Sequence, residues 1–70
     1  MTGWIKSLSE DKGGFGFISA EGLQKDVFFN SNSLVGIMFE ELRVGDGVSF
    51  EIEESPKGLI AFNVQRDGAD

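Results

Sequence analysis

Apolar residues in this chain recur at every second position, in short runs separated by polar, glycine-rich stretches. Residues 47–53 show it most clearly. Val48, Phe50 and Ile52 fall on one parity, and Ser49, Glu51 and Glu53 on the other. That is the pattern of a strand with one buried and one wet face. Residues 2–8 predict a first strand, with Ile5 towards the core and Trp4 and Lys6 on the opposite face. Residues 12–18 predict a second, opened by glycines, and residues 26–30 a third. Residues 59–65 predict the fifth. Here Ile60, Phe62 and Val64 share one parity and Leu59, Ala61 and Asn63 the other, and the pattern alone leaves both sets open as the inner one. Residues 9–14, 19–25 and 55–58 carry turn chemistry. Residues 31–46 form the longest non-repetitive stretch. Short helical turns are expected there near 32–34, capped by Ser31 or Asn32, and near 40–43, with Leu34 and Leu42 in the core. Five short strands and no long helical period predict an all-β, five-stranded antiparallel barrel.

The aromatic residues change the picture from fold to function. Phe15 and Phe17 are two apart on a strand, so both rings point to one side, and Gly16 and Ile18 to the other. An inward glycine permits close backbone approach. Residues 12–18 alone fit a plain core face as well as an exposed platform. The third strand shifts the balance: with Val27 and Phe29 inside, Phe28 joins Phe15 and Phe17 outside. Three rings on an open sheet face are costly in water unless something covers them. Bases of single-stranded nucleic acid stack on such platforms.

Composition narrows the alternatives. Seventy residues make one domain, 1–70, with 66–70 expected to fray. The chain has no cysteine and no histidine, which removes disulfides, thiolate metal sites and the commonest general base. No convergent carboxylate pair can be named, so an enzyme is not expected, nor a cofactor or a metal. No apolar run reaches membrane-spanning length and the start is unlike a signal peptide, so a cytoplasmic chain with no membrane partner is the expectation. Six basic against twelve acidic residues give a net charge of −6, unusual for a phosphate binder. Distribution matters more than the sum. Lys6, Lys12 and Lys25 lie in the half that carries the rings, whereas the acids gather at 40–41, 51–54 and 67–70.

The run Lys12-Gly13-Gly14-Phe15-Gly16-Phe17-Ile18, followed by Asp26-Val27-Phe28-Phe29-Asn30, resembles the paired ribonucleoprotein motifs of the cold-shock domain family. Gly3-Trp4-Ile5-Lys6, the stretch from Leu42 to Phe50 and Lys57-Gly58-Leu59-Ile60-Ala61-Phe62-Asn63-Val64 resemble its opening, fourth strand and close, in order. The resemblance implies an OB-fold barrel that binds single-stranded RNA or DNA with little sequence preference, as an RNA chaperone or a regulator of transcription or translation, and as a monomer. It implies base stacking by Phe15, Phe17 and Phe28, phosphate contact by Lys6, and help from Lys12 and Lys57. It puts Asn30 where the family has a histidine. Phe39 matches a loop aromatic that reaches over the binding face, though plugging the barrel end is an equal reading. Trp4 either replaces a ring missing at Ser7 or covers a barrel edge. The resemblance also favours Ala61 and Asn63 as inward. Ser7, Asn30 and Ser31 depart from the family pattern, and one extra residue shifts Lys12 relative to Phe15. These losses leave a second class open, a barrel turned protein-interaction module.

Overall fold

The alternation becomes five strands: β1 (Thr2–Ser9), β2 (Phe15–Ser19), β3 (Val27–Asn30), β4 (Gly47–Ser55) and β5 (Gly58–Arg66). They are seen in a computed structural model that describes residues 1–67. The strands close into a barrel in the order β1-β2-β3-β5-β4. Four seams are antiparallel, whereas β3 and β5 run parallel, paired at Phe28 and Ile60. One parallel seam is unavoidable, because directions cannot alternate all the way around a closed ring with an odd number of strands. A parallel bridge from Leu34 to Val64 extends this seam beyond β3.

The core is what the alternation points inward. Ile5, Ile18, Val27, Phe29, Val48 and Phe50 are buried, as is Leu42 from the long connection. Each large apolar side chain removed from water contributes about 1.5–3 kcal/mol. Gly16 lies on the inner side too. A Cβ there would sit 2.5 Å from the Ser7 carbonyl oxygen and 2.9 Å from the Phe29 ring. The bare backbone at Gly16 therefore lets β1 and the Phe29 ring approach together.

Two irregularities break the period of two. In β1, Ile5 pairs with Ile18 but Ser7 pairs with Phe17, so Lys6 is an extra residue. The bulge turns both Ile5 and Leu8 towards the core. In β5, Ser49 pairs with Gln65 but Glu51 with Phe62, so β5 spends three steps where β4 spends two. Asn63 sits in this bulge at φ 51°. Asparagine accepts that left-handed conformation more readily than most residues. The expected inward pair of Ala61 and Asn63 is therefore half wrong. Ala61 and Val64 are buried and Asn63 is exposed, its amide donating to Glu51 Oε2 at 2.9 Å. Neither parity of the fifth strand is wholly inside, because the bulge switches parity midway.

The connection 31–46 crosses the barrel with two 3₁₀ turns, Ser31–Ser33 and Phe39–Glu41. The first is capped one residue earlier than expected: Asn30 Oδ1 accepts from the Asn32 amide at 3.0 Å. Residues 66 and 67, included in the expected frayed tail, belong to the fold. Arg66 closes β5 and pairs with Asp46 at 3.2 Å, and the Asp67 amide donates to the Gly47 carbonyl at 3.0 Å. The rest of that expectation, residues 68–70, lies outside the described residues.

Candidate nucleic-acid interface

Register fixes the outer face residue by residue. Phe17 pairs with Phe28, and Phe15 with Asn30. Because Val27 and Phe29 are fully buried, Phe28 must point outward with Phe15 and Phe17. The three rings lie 5.7 Å (Phe15–Phe28), 5.8 Å (Phe17–Phe28) and 6.5 Å (Phe15–Phe17) apart. The Phe15–Phe17 and Phe17–Phe28 pairs are edge to face. All three remain partly exposed, so ring surface is left for a ligand.

The platform continues onto β5. A groove of about 430 Å³ is lined by Phe17, Phe28, Leu59, Ile60 and Lys57. Ile60 and Phe62, 37% and 36% exposed, extend the apolar face across the β3–β5 seam. Sequence reasoning missed both, because the bulge at Asn63 hides their parity. Next to them on β4 stand Glu53, paired with Ile60, and Glu51, paired with Phe62. On the other side stand the neutral Ser7 and Ser9 of β1, paired with Phe17 and Phe15. One border of the face is thus neutral and the other anionic.

The remaining expected site residues fall in different places. Lys57, in the β4–β5 turn, reaches the groove. Asn30 is exposed beside Phe15, its side-chain oxygen used by the cap. Lys6 forms an ion pair with Asp26 at 3.0 Å, and Asp26 in turn accepts from the Ser19 hydroxyl at 3.0 Å. The Lys6 ammonium, and after it the Ser19 hydroxyl, hold the Asp26 carboxyl below the usual carboxylate range. Trp4 pairs with Ser19 and so continues the outward row, but its ring lines a separate recess with Met1, Glu21 and Asp67.

The extra residue before Phe15 is absorbed by three consecutive left-handed conformations, at Lys12, Gly13 and Gly14. Lys12 is exposed there. Phe39 is half-buried, packed on the core cluster, and its ring covers Gly14, where a Cβ would meet it at 3.0 Å. It pairs with none of the three platform rings among the described residues.

Among the described residues no group of three or more Asp or Glu side chains is placed to hold a metal ion. No helix among the described residues is long and apolar enough to cross a membrane.

Residues 1–67 match the family described as the 'Cold-shock' DNA-binding domain. The chain belongs to the cold-shock domain family. It is 43% identical over 63 residues to cold shock-like protein CspA of Shewanella violacea, covering 90% of this chain and 89% of the relative. It is 41% identical over 64 residues to the major cold shock protein of Micrococcus luteus, covering 91% and 94%. With cold shock-like protein CspC of Escherichia coli K12 it shares 42% over 64 residues, 91% of each chain.

Proposed function

We propose that this cold-shock-domain chain binds single-stranded RNA or DNA with little base preference, as an RNA chaperone or regulator of transcription or translation, and acts as a monomer. The observation that carries the reading is the cluster of three outward rings from β2 and β3. Every base has a π-face, so stacking accepts any sequence, whereas a duplex keeps its base faces covered. Each base–ring contact is worth about 1–3 kcal/mol. Three of them give roughly 3–9 kcal/mol before ordering costs, which supports binding of moderate strength.

The charges direct the strand. Lys57 beside the groove attracts the phosphate backbone, whereas Glu51 and Glu53 repel it from β4. A chain of net charge −6 can bind a polyanion in this way because Glu51 and Glu53 line the β4 flank of the stacking face, whereas the β1 flank opposite carries the neutral Ser7 and Ser9. With no histidine, no side chain has an unperturbed pKa between about 6 and 8, so binding is nearly flat with pH across that range.

The test is titration of fluorescently labelled single-stranded heptamers, pyrimidine-rich and purine-rich, as RNA and as DNA. Saturable binding of all four, with preferences of only a few fold, is expected. Failure of the unaltered chain to bind any of them at low salt would overturn the reading.

A further inference from the structure

The fifth strand turns a ring to water beyond the cluster of three. Phe62 and Ile60 are exposed, and the buried Ala61 between them fixes the parity of this part of β5. The parallel seam pairs Phe28 with Ile60. Two residues further along both strands, the same register sets Asn30 beside Phe62. On its other side Asn30 pairs with Phe15. One outer row across β2, β3 and β5 therefore reads Phe15, Asn30, Phe62, and the row next to it Phe17, Phe28, Ile60. The second row is apolar throughout. The first holds two rings whose backbones lie two strand spacings apart, about 10 Å, with a short side chain between them. That side chain is drawn aside, since Asn30 Oδ1 accepts from the Asn32 amide at 3.0 Å. Among the described residues Phe62 pairs with none of the three platform rings, so its face is left to a ligand.

We propose that Phe62, with Ile60 beside it, is a fourth base-stacking position, so that a bound single strand crosses the β3–β5 seam instead of ending at Phe28. The inference rests on the nucleic-acid reading of the stacking face and carries that face onto β5. The surface is continuous: Ile60 lines one groove with Phe17, Phe28 and Lys57. The charges on the flank decide which part of the strand comes here. Phe62 has Glu51 as its β4 partner, and Ile60 has Glu53. Carboxylates repel phosphate, but a base carries no charge and its amino groups donate to them. The base therefore reaches over Phe62 while the backbone stays away from β4. The same charges argue against a second copy of the chain. A twofold contact on this face would set Glu51 and Glu53 of each copy near those of the other.

The experiment compares the full chain with Phe62→Ala. Affinity for one labelled single-stranded heptamer is measured over a series of salt concentrations, with folding checked by circular dichroism. Phe62→Ala should bind at least about fivefold weaker, the loss of one base–ring contact. Its log-affinity against log-salt slope should not change, because no phosphate contact is lost. Val44→Ala removes exposed apolar surface from the 31–46 connection and should change little. In the unaltered chain saturated with heptamer, nuclear Overhauser contacts should join the Phe62 ring protons to base protons. That readout decides the matter should Phe62→Ala not fold. Unchanged affinity in folded Phe62→Ala overturns the proposal, as does a loss matched by Val44→Ala, a loss that comes with a flatter salt slope, or the lack of ring–base contacts. A free chain that self-associates through Phe62, with heptamer affinity indifferent to that residue, assigns the face to a second copy and overturns the proposal too. An unaltered chain that binds no heptamer overturns the nucleic-acid reading and this inference with it. Normal binding that is indifferent to Phe62 overturns the inference alone.

Discussion

The β2–β3 pair and the β4–β5 pair face the same interior with the same kind of side chain, but they face water with different mixtures. Inside, Ile18, Val27 and Phe29 from the first pair meet Val48, Phe50 and Val64 from the second. Outside, the first pair presents Phe15, Phe17 and Phe28, and the second presents Glu51 and Glu53 beside Ile60 and Phe62. The interior has to be filled at close-packed density, so both pairs answer to one rule. The exterior is under no such rule. Rings left there lower stability or solubility unless a ligand covers them. Carboxylates left there cost nothing in water. The difference between the two outer faces therefore carries the functional information, whereas the two inner faces carry the fold.

The contrast is broken most forcefully from inside. Phe50→Ala should destabilise the barrel by about 3–5 kcal/mol, because the ring is 2% exposed and leaves a cavity. In a chain this small that is enough to unfold most of the population, and chemical denaturation would show it. Phe28→Ala, the same change on the opposite side of the wall, should leave the denaturation midpoint much nearer its original value. Phe15→Ala, Phe17→Ala and Phe28→Ala should instead each cost about 1–3 kcal/mol of oligonucleotide affinity, read by fluorescence titration. Equal unfolding by all four would erase the distinction between the faces.

A smaller effect tests the β4–β5 pair against itself. Lys57→Gln should weaken binding and flatten the log–log salt slope by about 0.7. Glu53→Gln, on the flank of the same hairpin, should tighten binding by about 1 kcal/mol or less, the scale of a single surface charge. If both substitutions shift affinity in one direction, the strand does not run between them.

Much of this was legible in the sequence, for physical reasons that differ between elements. The alternation at 47–53 gave the correct inner face because nothing interrupts it. Parity put Phe15 and Phe17 on one face, the third strand with Val27 and Phe29 inside tipped that face outward with Phe28, and the register agrees. The fifth strand was not legible. A single left-handed residue at Asn63 exchanges inside for outside, and a period-two pattern has no means of announcing it. The ion pair of Lys6 was not legible because its partner Asp26 lies twenty positions on in sequence and meets it only in the folded barrel. Phe39 was left between two roles, and its packing over Gly14 follows from the course of the 31–46 connection rather than from any local signal.

The smallest expected effect concerns acid. The Asp26 carboxyl titrates below its unfolded value, so its ion pair contributes stability above the ordinary carboxylate range. That contribution is lost as pH falls through the folded-state value. Thermal melting from neutral pH into the acid range should therefore show a slightly smaller loss for Asp26→Asn than for the unaltered chain. Identical acid profiles would mean that Lys6 and Asp26 do not pair in solution.

Two neighbouring glycines face very different futures under mutation. Gly13 and Gly14 both have positive φ, at 88° and 107°. A methyl group on Gly13 would meet nothing within 4 Å, whereas on Gly14 it would strike the Phe39 ring. The first is held by its backbone angle alone, and an asparagine or aspartate can adopt a left-handed conformation in its place. The second is held by its angle and by a ring from a different part of the chain. Drift across generations should accumulate at position 13 and stall at position 14. In a library randomised at both sites and selected for folding, survivors should include asparagine and aspartate at 13 and retain only glycine at 14.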